Sequence, residues 1–141
     1  MILADVNVLV YAHREDLPQH GRCSAWLREE VESGRSFAVC DVSCTGFLRV
    51  VTNARVFADP TPLDVALRFV EALRGHAGAI ALSPGTRHWA LFSELCGSIG
   101  ARGNDIPDAY LAALAIESGS ELVTADKSFG RFPGLRWSCP V

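Results

Sequence analysis

Residues 103–129 read GNDIPDAYLAALAIESGSELVTADKSF, an apolar helical run followed by a short apolar strand, with acids at both ends. The run 107–119 predicts a helix that ends at a glycine, and the run 121–126 predicts a buried strand. Read locally, Asp105 would be the N-cap of this helix and Asp108 its N3 residue, where both satisfy free backbone N–H groups and the helix dipole. Capping therefore explains these acids unless other parts of the chain bring further acids to the same place.

The same alternation of strand and helix continues outward over the whole chain. Continuous apolar runs are typical of strands buried on both faces, and helices between them indicate parallel βαβ units. The patterns predict strands at 2–5, 37–42, 79–82, 121–126 and 135–139, and helices at 23–34, 45–53, 63–75 (with Thr61 as N-cap and Pro62 at N1), 87–100 and 107–119. We expect a single domain, residues 1–141, with an α/β fold: a three-layer α/β/α sandwich around a central, mainly parallel sheet.

Composition narrows the class of protein. Apolar residues make up 49% of the chain and charged residues 21%, which is ordinary for a compact domain and argues against a disordered or membrane-spanning chain. The N-terminal run has no basic region and is soon interrupted by Asp5, so we expect a cytoplasmic protein without a signal peptide. A net charge of −3 carries no global signal for nucleic-acid binding, so any positive surface has to be local. Five cysteines without a C-x-x-C pair make a zinc site or a disulfide framework unlikely.

Three acids fall where the predicted fold would bring them together. Asp5 closes the first strand, Asp126 closes the strand at 121–126, and Asp108 opens the helix that leads into that strand. Ligands of open parallel sheets bind beyond the carboxyl ends of the strands. Grouped carboxylates repel one another, and Mg²⁺ or Mn²⁺ would neutralise them, polarise a phosphoryl group and activate water. Metal-dependent phosphodiester hydrolysis is the leading hypothesis; separate turn and capping roles remain the alternative.

The ordered set of motifs resembles a known family. Three stretches resemble a PIN-domain ribonuclease, specifically a VapC-type toxin of a type II toxin–antitoxin system: residues 2–12 (ILADVNVLVYA), 45–53 (TGFLRVVTN) and 107–135. The most specific elements are the pair Asp108-Ala109 and the pattern Thr124-x-Asp126-x-x-Phe129. The similarity extends over essentially the whole chain. It implies a Mg²⁺-dependent endoribonuclease, with Mn²⁺ as a possible substitute, that forms a homodimer and is silenced by a VapB-type antitoxin lying in the active groove.

The resemblance also assigns roles by position. It implies that Asp5, Asp108 and Asp126 are the catalytic and metal-binding acids. Asn7 corresponds to the polar residue that follows the first acid and orients it, and Thr124 would support the last acid.

One family feature is missing from this chain. Many relatives carry a glutamate in the helix after the second strand, whereas residues 43–49 here read SCTGFLR. We hypothesise that Asp105 or Asp41 supplies the charge, or that the hydroxyls of Ser43 and Thr45 hold a metal-bound water.

Basic and aromatic side chains provide secondary candidates. Arg49, Arg102 and Lys127, together with Arg55, are candidates for contacts with RNA phosphates, although each is also readily explained as a solvated surface charge. The aromatic residues on helical apolar stripes are expected in the core rather than as base-stacking platforms, and these are Trp26, Phe69 and Trp89.

Two other functions compete with the nuclease hypothesis. The first run also resembles the nucleophile strand of haloacid-dehalogenase-type phosphatases, but Asn7 stands where their second aspartate would be and Val8 where their glycine would be. The other alternative is a catalytically degenerate PIN domain that only binds its antitoxin or RNA, and the missing glutamate is its main support.

Overall fold

A five-stranded parallel sheet forms the centre of the computed structural model, which describes residues 1–141. The strands are β1 (Ile2–Ala4), β2 (Phe37–Cys40), β3 (Ala79–Leu82), β4 (Glu121–Val123) and β5 (Trp137–Ser138), and their order in the sheet is β3-β2-β1-β4-β5. Every neighbouring pair is parallel. The α-helices are α1 (Val6–His13), α2 (His20–Glu32), α3 (Asp41–Val51), α4 (Leu63–Arg74), α5 (His88–Ile99) and α6 (Asp105–Ser118), and a 3₁₀ helix spans Lys127–Arg131.

The helices cover both faces of the sheet, so the predicted three-layer sandwich is confirmed. Successive strand residues point to opposite faces. Leu3 and Leu122 belong to the core beneath α5 and α6, whereas their neighbours Ala4 and Val123 belong to the core beneath α1, α3 and α4. The continuous apolar runs of β1, β2 and β4 thus serve two cores at once, as their sequence predicts.

The edge strand β3 departs from this pattern. Its run AIAL was predicted to be buried on both faces, but Ile80 is 44% exposed and Ala81 is exposed as well. An apolar run alone does not distinguish a central strand from an edge strand, which has a neighbour on one side only.

Local predictions for four residues are also corrected. Helix α6 begins at Asp105, and Asn104 precedes it, so Asp105 is not the N-cap and Asp108 is not at N3. Helix α4 begins at Leu63 with Pro62 in the cap position, and the Thr61 hydroxyl instead accepts a hydrogen bond from the Arg14 guanidinium.

The prediction for the helical aromatics holds in part. Trp26 and Phe69 are half-buried and pack against the core beneath α1, α3 and α4. Trp89 does not, since it is 72% exposed in the first turn of α5. The helix places it on the outer side, where it contacts Phe92.

Helices α1 and α3 pack closely against each other at Gly46. A Cβ added to Gly46 of α3 would lie 2.6 Å from Cγ2 of Val6 in α1. Glycine therefore lets the two helices approach at this point. None of the helices has the length and apolar character needed to cross a membrane.

Candidate active site

The topology brings the three predicted acids to one edge of the sheet. β1 and β4 are adjacent and parallel, with Ala4 paired with Val123, so the residues that follow the two strands leave the sheet side by side. Asp5 directly follows β1, and Asp126 lies three residues beyond β4. Asp108 lies in the first turn of α6, whose N-terminus stands at the same edge because α6 leads into β4.

Asp5 is the most enclosed of these acids, with 8% of its surface exposed. Its Oδ1 accepts a hydrogen bond of 2.7 Å from the backbone N–H of Val6, so it is also the N-cap of α1. Its Oδ2 accepts bonds from the Thr124 hydroxyl at 2.7 Å and from the Asn7 side-chain amide at 3.0 Å. These donors hold the carboxylate in one orientation.

Asn7 and Thr124 form a polar bridge between the ends of β1 and β4. The Asn7 carbonyl oxygen accepts from the backbone N–H of Ala125 at 3.1 Å, and the Thr124 hydroxyl oxygen accepts from the backbone N–H of Asp126 at 3.0 Å. Thr124 is fully buried. The two residues predicted to support the acids therefore orient Asp5 and tie the backbone before Asp126 to it.

All three acids line one cleft with a volume of about 680 Å³. Burial raises the pKa of Asp5 above its usual range; the hydrogen bonds from Thr124 and Val6 oppose this effect, and the nearby charges of Asp108 and Asp126 add to it. Burial also raises the pKa of Asp108, again with a contribution from Asp126. The carboxylates are thus close enough to repel one another, as expected of a cation-binding group.

The donor set suits a hard divalent cation, although the side chains do not form a closed cage. No three His, Cys, Asp or Glu side chains stand close enough together to enclose an ion as they are placed. Mg²⁺ binds through one or two carboxylates and keeps several of its waters, so it does not need such a cage. The residues that fit it are Asp5, Asp108 and Asp126, since all three line the shared cleft.

Arg131, at the end of the 3₁₀ helix, was not identified from the sequence. One of its guanidinium nitrogens, Nη2, lies 3.1 Å from Asp105 Oδ1 and 3.3 Å from Asp108 Oδ2. It opposes the rise in the pKa of Asp108. The only sequence signal was an arginine five residues after the third acid and two residues beyond Phe129, the last residue of the family pattern.

The replacements suggested for the missing glutamate are not found in the cleft. Asp41 is highly exposed and forms an ion pair of 2.8 Å with Arg74, and Thr45 is exposed and donates to the carbonyl of its own helix. Ser43 is buried and accepts from the Cys40 thiol. Asp105 lies beside Asp108 but does not line the cleft, because Arg131 and the backbone N–H of Arg102 bind its two oxygens.

The basic residues proposed as phosphate contacts differ in whether they line the cleft. Arg49, on α3, lines the cleft and is exposed. Arg55, Arg102 and Lys127 are also exposed but lie outside the cleft lining. Arg49 is therefore the candidate best placed to meet a phosphate next to the acids.

Part of the cleft lining is apolar. Its wall includes Val10, Tyr11, Leu17, Val56 and Phe57. Val56 is 55% exposed, which leaves an apolar surface uncovered beside a strongly acidic one. The sequence patterns did not predict this wall, because it combines α1, the segment between α1 and α2, and the loop between α3 and α4.

Comparisons with known proteins agree with this architecture. The sequence matches the PIN domain family over residues 2–135. Ribonuclease VapC43 of Mycobacterium tuberculosis strain H37Rv is 44% identical over 141 residues, which cover 100% of this chain and 96% of the relative. Ribonuclease VapC25 of the same strain is 40% identical over 136 residues, 96% of each chain.

Solved structures show the same fold at lower identity. VapBC2 from Rickettsia felis, bound to a DNA fragment from its promoter, aligns with a TM-score of 0.70 and 19% identity over 99% of this chain and 98% of that one. VapBC-1 from nontypeable Haemophilus influenzae aligns with a TM-score of 0.69 and 16% identity over 99% and 98% of the two chains. Because the family match and the relatives above 30% identity span nearly the whole sequence, the chain belongs to the PIN-domain family, among its VapC ribonucleases.

Proposed function

We propose that residues 1–141 form a single PIN-like domain that acts in the cytoplasm as a Mg²⁺-dependent endoribonuclease, the toxin of a toxin–antitoxin pair. The observation that carries the proposal is the meeting of Asp5, Asp108 and Asp126 at one cleft, with the pKa values of Asp5 and Asp108 raised. Such a group gains most from a doubly charged ion, and the related ribonucleases supply RNA as the substrate class.

In the proposed mechanism, Asp5, Asp108 and Asp126 would hold Mg²⁺. When bound, this ion polarises the phosphodiester and lowers the pKa of water, which yields a nucleophile at neutral pH. Asn7 and Thr124 hold the Asp5 carboxylate in one orientation, so this side chain does not have to be ordered when the ion binds. Arg49 would bind a phosphate of the RNA at the cleft, and its fork of N–H groups suits phosphate oxygens. Arg102 and Lys127 would make weaker contacts at its margin.

The apolar part of the cleft lining supports a second partner. Tyr11, Leu17, Val56 and Phe57 offer a surface suited to the apolar side chains of a peptide segment rather than to phosphates. The related folds solved as VapBC complexes make a VapB-type antitoxin the expected occupant. A homodimer is expected from the resemblance.

Cleavage of a structured RNA pool by the purified chain tests the proposed activity. We expect cleavage with Mg²⁺ or Mn²⁺, none with EDTA, and none in folded Asp5→Asn or Asp108→Asn proteins. The matched control is Asp41→Asn, which removes an exposed carboxylate outside the cleft and should retain activity. Cleavage that persists in EDTA, or in both cleft variants at the wild-type rate, would refute the proposal.

One observation favours the binding-module alternative. The cleft-lining residues of α3, which are Val42, Gly46, Arg49 and Val50, include no acid. A degenerate domain would bind RNA equally well with EDTA or with Mn²⁺ and would cleave it with neither. RNA retention on a filter, measured beside the cleavage assay, distinguishes the two functions.

A further inference from the structure

Arg131 lies between two elements that each carry one of the cleft acids. Asp126 caps the 3₁₀ helix, where its Oδ1 accepts from the backbone N–H of Ser128 at 2.9 Å. Arg131 Nη1 donates to the carbonyl oxygen of Ser128 at 2.6 Å and to its hydroxyl oxygen at 2.8 Å. Arg131 Nη2 then reaches Asp108 on α6. Asp126 is therefore linked to Asp108 through Ser128 and Arg131, each of which bonds to the next.

The guanidinium is held in this position from several sides. Its central carbon lies 4.5 Å from the centre of the Phe132 ring, and Phe132 is buried. The Arg131 side chain is 27% exposed and makes four hydrogen bonds to three residues. A planar fork with so many fixed partners has little freedom to turn away.

The same guanidinium occupies the space between two carboxylates. Nη2 contacts both Asp105 Oδ1 and Asp108 Oδ2, while Asp105 Oδ2 accepts from the backbone N–H of Arg102. Arginine stays protonated at any ordinary pH. A cation therefore already bridges this pair, and a divalent ion placed there would be repelled.

We propose that Arg131 is a positioning residue that sets the spacing of Asp108 and Asp126 and fills the place of a second metal, so that the site takes one divalent ion. This inference rests on the proposed function, since it assumes that the cleft acids bind metal. Asp5, Asp108 and Asp126 would hold that ion.

Counting bound Mn²⁺ tests this assignment. Isothermal titration calorimetry and Mn²⁺ electron paramagnetic resonance should give one ion per wild-type chain. Arg131→Gln removes the resident charge and should admit a second ion, visible as a doubled stoichiometry and a spectrum broadened by the neighbouring spin. Arg131→Lys keeps the charge but loses the fork, so it should still bind one ion, about tenfold more weakly. Arg74→Gln, which breaks an ion pair outside the cleft, is the matched control and should behave as wild type.

The outcomes separate this inference from the proposed function. Two ions in the wild-type chain, or one ion of unchanged affinity in both Arg131 variants, would overturn the role of Arg131 and leave the metal site intact. No Mn²⁺ binding by the wild-type chain would instead refute the proposed metal site. Loss of the ion in Asp5→Asn identifies the binding site as the cleft. If Arg131→Gln does not fold, the wild-type count and the affinity of Arg131→Lys decide the question.

Discussion

Replacing Thr124 by valine should destabilise the metal-free chain in a pH-dependent way. The Thr124 hydroxyl is fully buried, donates to the Asp5 carboxylate and accepts from the backbone N–H of Asp126. A hydrogen bond to a charged group contributes about 1.5–3 kcal/mol, and a buried donor left without its partner costs a further ~1 kcal/mol. We expect Thr124→Val to lower the free energy of unfolding by about 3 kcal/mol near neutral pH.

The pH dependence follows from Asp5. Burial raises the pKa of Asp5 in the folded chain, so ionising this carboxyl costs stability as the pH rises through that value. The hydrogen bond from Thr124 opposes this rise, and its loss makes ionisation costlier. The difference between wild type and variant should therefore be small when Asp5 is protonated and grow as the pH increases.

Urea unfolding in the presence of a chelator measures the stability lost in Thr124→Val at low pH and near neutral pH. The control is Thr52→Val, because the Thr52 hydroxyl donates to the backbone carbonyl of Leu48 rather than to a carboxylate. Its cost should be about 1 kcal/mol and independent of pH. A loss for Thr124→Val that is equal at about pH 4 and about pH 7, or below ~1 kcal/mol at the higher pH, would refute this account of Asp5.

Mn²⁺ should raise the melting temperature of the wild-type chain but not of Asp5→Asn; at about a hundred times the Kd, mass action stabilises the fold by ~2.7 kcal/mol. Equal shifts in calorimetric scans of both proteins would place the ion elsewhere. Gly46→Ala should destabilise the chain by about 1–2 kcal/mol because the added methyl group meets Val6. In a Val6→Ala background this contact is gone, so the same change should stabilise the chain by ~1 kcal/mol, since alanine has the better helix propensity. Urea unfolding checks whether Gly46→Ala changes the free energy of unfolding with opposite signs in the two backgrounds. Arg49→Gln should weaken RNA binding more than Lys127→Gln does, and it should reduce the slope of log affinity against log salt concentration by somewhat less than one unit. Equal effects of the two changes in filter-binding titrations would argue against a phosphate contact by Arg49.

The parts of the fold that follow from local pattern were predictable from the sequence. Buried parallel strands are written as continuous apolar runs, so β1, β2 and β4 were identified close to their observed positions. Asp5 directly follows β1, whereas Asp126 was predicted to close β4 but lies three residues beyond its end at Val123. Their positions after two parallel strands were still enough to predict that these acids meet. The family resemblance assigned Asn7 to the first acid and Thr124 to the last. Asn7 donates to Asp5, and Thr124 accepts from the backbone N–H of Asp126 but also donates to Asp5, which the resemblance did not imply.

The parts that depend on tertiary neighbours were missed. The strand order, which leaves Ile80 on an exposed edge, is not encoded in the apolar run itself. Trp89 falls on an apolar helical stripe, yet no element covers that part of α5. Arg131 has a long side chain whose partners come from α6, more than twenty residues earlier in the chain. Asp41 was a candidate to supply the charge of the missing glutamate, and its actual partner, Arg74, is 33 residues away in sequence.

The double role of Asp5, which both faces the cleft and caps α1, has a consequence for how this lineage can diverge. In a descendant that no longer needs to cleave RNA, selection for stability would still act on residue 5, because loss of the cap weakens α1 by ~1 kcal/mol. Asparagine and serine are tolerated caps, so inactive descendants are expected to carry them here rather than alanine or leucine. Asp108 does not cap its helix, so its replacement is the better genetic marker of a descendant that has abandoned catalysis.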